Sequence, residues 1–213
     1  MHSPHITKKA IVEELKKNNL MSPLIRKAIK QVIKTHSKQK RDNGSPYIEQ
    51  HLYPVVHEII QYYKDEKPKE IISKEIIAGA LLHDVLEDDK KLNDNKFISL
   101  FGPEVYSIVK TLTKPPHDGY TPNTVMSLIN NMVWENVKKS DEKIIIIKLA
   151  DRTNNMESFF GLDNINTPKV HRYIEEVTKE YLPYTKSHNT YFYQKLSQIC
   201  AELNKRLAES KKF

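Results

Sequence analysis

Apolar positions along this 213-residue chain recur mostly with the helical period rather than in strand-like alternation, and prolines and capping residues cut the pattern into segments. Ser22-Pro23, Thr121-Pro122 and Thr167-Pro168 each place an N-cap hydroxyl ahead of a proline at the first helical position, where the missing N–H costs nothing. The punctuation predicts helices near 7–18, 23–38, 49–64, 73–87, 95–101, 103–113, 122–138, 141–158, 168–185 and 189–209, with Gly102-Pro103 separating the short pair. Asp42-Asn43-Gly44-Ser45-Pro46 reads as a loop, and Lys114-Pro115-Pro116-His117-Asp118-Gly119-Tyr120 as an irregular, mobile one.

The run Lys143-Ile144-Ile145-Ile146-Ile147-Lys148-Leu149-Ala150-Asp151 suits a strand as well as a buried helix. No other strand candidate exists to pair with it, and a lone strand leaves its backbone groups unsatisfied, so it is assigned to a central helix. On that helix Asp151, Asn155 and Ser158 share a face, with Asn154 beside them. The expected architecture is all-α, a single-domain helical bundle with a buried metal site. Only five glycines occur, and neither a fixed-period repeat nor a low-complexity segment interrupts the pattern.

Composition narrows the class further. The single cysteine, Cys200, cannot form an intramolecular disulfide and reads as a packing residue. The start, Met1-His2-Ser3-Pro4, lacks a basic segment followed by a long apolar one, and the longest aliphatic run, Ile144 to Ile147, cannot span a bilayer. A cytoplasmic protein with no membrane partner is expected. The net charge of +7 is spread along the chain, which fits a solvated surface better than a nucleic-acid interface and also suits a polyphosphate substrate. Lys38-Gln39-Lys40-Arg41 is the densest basic cluster near candidate chemistry.

That chemistry lies in two segments that each follow an aliphatic run, Leu81-Leu82-His83-Asp84-Val85-Leu86-Glu87-Asp88 and Lys148-Leu149-Ala150-Asp151-Arg152. Burying a carboxylate at the end of such a run costs several kcal/mol (~1–3 or more) unless a partner or metal compensates it. On a continuous helix His83 would lie one turn below Glu87 and Asp84 one turn below Asp88, a wedge that reads as a metal site with an acid pair.

The ordered motifs His36-x-x-Gln39-x-Arg41, Gly44-x-Pro46-Tyr47-Ile48, His51, His83-Asp84-Val85-Leu86-Glu87-Asp88, Phe101-Gly102-x-Glu104-Val105, Leu112-Thr113-Lys114 and Lys148-Leu149-Ala150-Asp151-Arg152-x-x-Asn155-Met156 resemble the HD-domain hydrolase half of RelA/SpoT-type alarmone enzymes. The resemblance covers about residues 20 to 185. It implies an N-terminal extension over 1–20, a phosphohydrolase domain over 21–187 and a C-terminal helix over 188–213 packed on the same domain. No segment resembles the synthetase half, so a stand-alone small alarmone hydrolase is expected.

By that resemblance a divalent metal, Mn²⁺ in most members, is held by His51, His83, Asp84 and Asp151. Glu87 and Asp88 position and deprotonate the attacking water, with Glu87 the more essential. Arg41 packs on the guanine base, and Asn155 and Ser158 line the nucleotide pocket. Ligand type alone does not choose among Mn²⁺, Fe²⁺ and Zn²⁺. The family histidine stands three residues after the Pro-Tyr-Ile tyrosine, where this chain has Gln50; a one-residue insertion makes His51 the counterpart, with His57 the alternative. Two further departures are Asp42, where the family carries a second basic residue, and Thr153-Asn154, where a bulky residue is usual. The expected reaction is hydrolysis of the 3′-pyrophosphate of ppGpp or pppGpp to GDP or GTP and pyrophosphate. The alternatives are an HD-type phosphohydrolase of another nucleotide or NADPH, and a catalytically silent nucleotide-binding module. Oligomeric state stays open.

Overall fold

The computed structural model describes residues 4–116 and 121–210. It is built from helices α1 (Lys8–Lys17), α2 (Pro23–His36), α3 (Tyr53–Glu66), α4 (Lys74–Leu82), α5 (Val85–Asp88), α6 (Asp94–Phe101), α7 (Pro103–Leu112), α8 (Asn123–Lys138), α9 (Glu142–Ser158), α10 (Pro168–Glu176), α11 (Leu182–His188) and α12 (Thr190–Ser210). Among the described residues the only β feature is an isolated antiparallel bridge between Lys40 and Pro46. The fold is all-α, as the apolar period predicts. Residues 117–120 of the expected mobile loop lie outside the described residues.

Two helices form the centre. Every residue of α4 from Ile76 to Leu82 is buried, and the helix packs against α2, α3, α7 and α9. Gly79 permits the closest of these approaches, since a Cβ there would lie 2.5 Å from Ile108 Cγ2 on α7 and 3.3 Å from Ile147 Cδ1 on α9. The isoleucine run is helical in α9, where Ile144, Ile146 and Ile147 enter the core. Neighbours on all sides, including α3, α4, α7 and α12, supply the apolar contacts a strand would have sought in a sheet. Toward its C-terminal half α9 also buries Lys148, Asp151, Arg152, Thr153 and Asn154, a concentration of polar groups that a core tolerates only when each finds a partner.

The helix expected over 73–87 is interrupted. Regular structure ends at Leu82, Asp84 adopts a turn conformation (φ −98°, ψ −5°), and α5 restarts at Val85. His83 Nδ1 donates to the Ala80 carbonyl at 2.8 Å, while Asp84 O accepts the N–H groups of Glu87 (3.1 Å) and Asp88 (3.2 Å). The wedge of four groups on one continuous helix is therefore corrected: the break turns His83 and Asp84 away from the line of Glu87 and Asp88. The helix expected from Thr121 is also shifted by one residue, with Pro122 at the N-cap and no side-chain cap bond. Ser22 and Thr167 do cap their helices, accepting from Ile25 N and Val170 N, each at 3.3 Å.

The chain enters α3 through a π-helical turn, Ile48–Leu52, in which Tyr53 N–H reaches back to Ile48 O. Such a turn accommodates one residue more than an α-turn. The one-residue insertion expected between Tyr47 and His51 is compatible with this turn, and His51 lands on the buried side facing α4 and α9. A second π-turn, Val177–Tyr181, joins α10 to α11, so the helix predicted to end near 185 continues to His188. Cys200 is buried in α12, and burial pushes its thiol up to about 11, in keeping with a packing role. No helix among the described residues is long and apolar enough to cross a membrane.

Candidate metal centre and its cleft

The turn after α4, the π-turn before α3 and the middle of α9 bring their polar groups to one point. His51 Nε2 lies 3.2 Å from His83 Nε2, 3.4 Å from Asp84 Oδ2 and 3.5 Å from Asp151 Oδ1. His83 Nε2 is 3.1 Å from Asp84 Oδ2 and 3.8 Å from Asp151 Oδ1. The structure thus gathers the four expected ligands, and His51, His83 and Asp84 form a group able to hold a metal ion. His57 is elsewhere, bonded through Nδ1 to Glu14 at 2.8 Å.

Each of the four is oriented by another group, as metal ligands require. Ala80 O accepts only, so His83 carries its Nδ1 proton there and presents Nε2 to the cluster. His51 Nδ1 sits 2.7 Å from Asn154 Oδ1, which likewise leaves Nε2 facing inward. The Tyr47 hydroxyl donates to Asp84 Oδ2 in a short bond. Asp151 accepts from Lys148 Nζ at Oδ2 (3.0 Å) and from Asn155 Nδ2 at Oδ1 (2.5 Å). Asn154 was expected beside the polar stripe of α9, whereas Tyr47, Lys148 and Ala80 were not picked out as site residues by sequence reasoning. Lys148 and Tyr47 stood within the quoted motifs, but only their contacts reveal what they orient.

The electrostatics favour ionised carboxylates at this point. Burial opposes ionisation of His83, but the Asp84 carboxylate beside it prevails and pushes the imidazole up to about 9. Burial and the nearby Arg41 hold His51 below its ordinary value. Burial opposes charge on Asp84 and Asp151 too; His83 and Lys148, respectively, are the leading groups that nevertheless hold them below the usual carboxylate range. Two imidazole nitrogens facing each other beside two ionised carboxylates, all buried but the partly exposed Asp84, are a donor set that fits a divalent cation.

Three of the four, His51, Asp84 and Asp151, line the floor of a cleft of about 260 Å³, and His83 joins them from outside its lining. Its walls carry Lys40, Arg41, Lys114, Lys148, Arg152 and Lys169, against Asp42 and the two candidate ligand aspartates. The three expected substrate residues are found bonded together: Arg41 Nη1 donates to Asn155 Oδ1 at 3.0 Å and Nη2 to Ser158 Oγ at 2.7 Å. Ser158 reaches the cleft only through Arg41 and is not part of its lining. Gly44, at φ +78°, closes the tight turn that aims Arg41 at α9, a conformation that favours glycine.

Glu87 and Asp88 lie beside this cleft rather than in it. They line an adjoining cleft of about 630 Å³, and Lys114 belongs to both. Glu87 Oε1 accepts from Lys114 N at 2.8 Å and Oε2 from Lys114 Nζ at 3.0 Å. Asp88 Oδ2 accepts from Gln39 Nε2 at 3.3 Å and faces His36 Nδ1 at 3.5 Å. The acid pair that looked contiguous with His83 and Asp84 on one helix is therefore reached through Lys114 and Gln39.

An all-helical domain with a buried two-histidine, two-aspartate cluster at the floor of a cationic cleft defines the class of this protein. Residues 28–183 match the HD domain family, and the chain belongs to it. Among curated relatives, it is 30% identical over 167 residues to the GTP pyrophosphokinase rsh of Brucella ovis, an alignment covering 78% of this chain and 20% of that protein. It is 30% identical over 148 residues to the guanosine-3′,5′-bis(diphosphate) 3′-pyrophosphohydrolase of Haemophilus influenzae, covering 70% of this chain and 20% of that one. The chain thus spans about a fifth of the length of these relatives. A solved structure described as a metazoan ortholog of SpoT that hydrolyzes ppGpp shares the fold, with a TM-score of 0.64 and 22% identity over 85% of this chain and 96% of that one.

Proposed function

We propose that this chain is a metal-dependent phosphohydrolase that removes the 3′-pyrophosphate of ppGpp or pppGpp, releasing GDP or GTP and pyrophosphate. The observation that carries the reading is the convergence of His51, His83, Asp84 and Asp151 at the floor of a cleft whose walls are cationic. The names of the relatives point to the same substrate class. Residues 21–187 are the hydrolase domain in this reading, with 1–20 an extension and 188–213 a helix packed on it, acting in the cytoplasm on a small-molecule nucleotide.

The four residues would hold Mn²⁺ as the preferred ion. A divalent ion there supplies acidity to a nearby water and neutralises phosphate charge. The chain's own groups do the rest. Glu87 accepts the proton of the attacking water, with Lys114 fixing where its carboxylate points and Asp88 steadied by Gln39. Lys114 and Lys148 face the charge that develops on the phosphate oxygens, and Arg41 offers its guanidinium plane to the base. Water oxygen bonds to the 3′ phosphorus as the bond from phosphorus to the ribose 3′ oxygen breaks, the 3′ oxygen takes up a proton to become the hydroxyl of GDP or GTP, and pyrophosphate departs.

The test is product release from ppGpp, pppGpp, dGTP, GTP and NADPH, each with Mn²⁺ and with chelator, followed by chromatography. Mn²⁺-dependent pyrophosphate release confined to the first two is the expected result. Turnover of another member would replace the substrate, and nucleotide binding without turnover would replace the enzyme with a binding module.

A further inference from the structure

Adjacent residues at the tip of the turn over 40–46 grip two different helices. Arg41 bonds to Asn155 and Ser158 on α9, whereas Asp42 Oδ2 accepts from Lys169 Nζ on α10 at 2.6 Å. The turn is held in shape by Arg41 N to Ser45 O and Gly44 N to Arg41 O, each 2.9 Å, and by the bridge between Lys40 and Pro46. Asp42 and Lys169 both line the candidate cleft, and they are its least enclosed ion pair, with side chains 53% and 46% exposed. They stand at its mouth, while the candidate metal cluster is buried at its floor.

Among the described residues, Asp42 is also the one carboxylate lining the cleft that is not a candidate metal ligand. Lys169 is the second residue of α10, at the end of a helix where the peptide dipoles favour an anion. The Asp42 carboxylate therefore sits where a ligand phosphate would be drawn. A phosphate can take Lys169 only by displacing it, and then remains next to a like charge.

We propose that Asp42 is a specificity-determining residue that sets the charge selectivity of the cleft mouth, disfavouring ligands that bring the longer phosphate chain to Lys169. This rests on the hydrolase reading. With the 3′-pyrophosphate at the buried cluster and the base against Arg41, the 5′-phosphate chain is the part of the nucleotide left to reach the mouth. Asp42 then penalises the 5′-triphosphate of pppGpp more than the 5′-diphosphate of ppGpp.

The experiment measures KM for both nucleotides in the Mn²⁺-loaded wild type, Asp42→Asn, Lys169→Met and the double variant. Asp42→Asn is expected to lower the ratio of KM for pppGpp to KM for ppGpp about 3- to 5-fold, the size an exposed charge pair supports. Lys169→Met should raise both constants, and Asp42→Asn should change the ratio no further on that background. An unchanged ratio in Asp42→Asn overturns the proposal. So does an equal drop with and without Lys169, which would make Asp42 a diffuse field rather than a competitor for that lysine. Absence of turnover in the wild type would instead count against the hydrolase reading. The same ratio is then read from calorimetric dissociation constants for GTP and GDP, and a ratio that Asp42→Asn leaves unchanged again overturns the proposal. Both side chains are half-exposed, so the variants should fold, which circular dichroism checks.

Discussion

Asn155 Nδ2 lies 2.5 Å from Asp151 Oδ1. The same amide accepts Arg41 Nη1 at 3.0 Å through its oxygen, so one side chain joins the candidate base-binding arginine to a candidate metal ligand. Replacing Asn155 with Leu removes one of the two bonds that orient Asp151, and Mn²⁺ affinity measured by calorimetry should fall about 10-fold. Arg41→Ala keeps the Asn155 to Asp151 bond, and should raise KM while leaving Mn²⁺ affinity within about 2-fold of wild type. Equal loss of metal in both variants would mean that Arg41 itself supports the cluster.

Two kinds of variant should separate metal holding from proton transfer. His83→Ala or Asp151→Ala deletes a ligand and should abolish both Mn²⁺ binding and turnover. Glu87→Gln should retain Mn²⁺ and lose about 10²- to 10⁴-fold in kcat, the range of a removed general base. Full activity in Glu87→Gln would refute its assignment as the base.

Gly79→Ala tests the centre of the fold. The added Cβ would meet Ile108 Cγ2 at 2.5 Å where buried faces of α4 and α7 pack together. Overpacking of this kind costs about 1–3 kcal/mol. Chemical denaturation should show the unfolding free energy lowered by that amount, through a lower midpoint with the slope unchanged. A neutral effect would mean that α4 and α7 part without cost.

Glu157 faces away from the cleft, toward Glu58 and Lys195, and burial followed by the Glu58 carboxylate pushes it up to about 7 from 4.5. Folded protein therefore binds more protons than unfolded protein between those values. The stability associated with the protonated group is fully present below about 4.5 and is lost as pH rises through about 7. After allowance for partial solvent screening the effect is about 1 kcal/mol. Glu157→Gln should raise Tm by roughly 2–4 °C at pH 8 and leave it unchanged near pH 4. A shift of equal size at both pH values would show that the effect is not proton-linked.

Much of the candidate site could be read along the chain. Asp151, Asn155 and Ser158 fall on one face of a helix by spacing alone, and the structure places two of them against Arg41 and the other within bonding distance of Asn155. The break after Leu82 was not visible, because His83 and Asp84 interrupt no apolar pattern and carry no proline or glycine. What ends the helix there is a set of contacts made after folding, His83 to Ala80 O and the Asp84 side chain to Tyr47. The contacts of the acid pair were hidden for the same reason, since Lys114 and Gln39 are distant in sequence from Glu87 and Asp88.

Local order, then, was determined by the chain itself: helical period, caps at Ser22 and Thr167, a buried isoleucine helix, and two charged segments after aliphatic runs, too costly to bury without purpose. Tertiary structure decided which polar groups meet. The π-turn chose His51 over Gln50, burial of α4 and α9 brought four donors within a few ångströms, and the turn at Gly44 sent Arg41 to one helix and Asp42 to another. Periodicity and capping act over a few residues and leave a signature in sequence. Convergence depends on how separate helices pack, and the free energy that selects it comes from contacts between residues far apart in the chain.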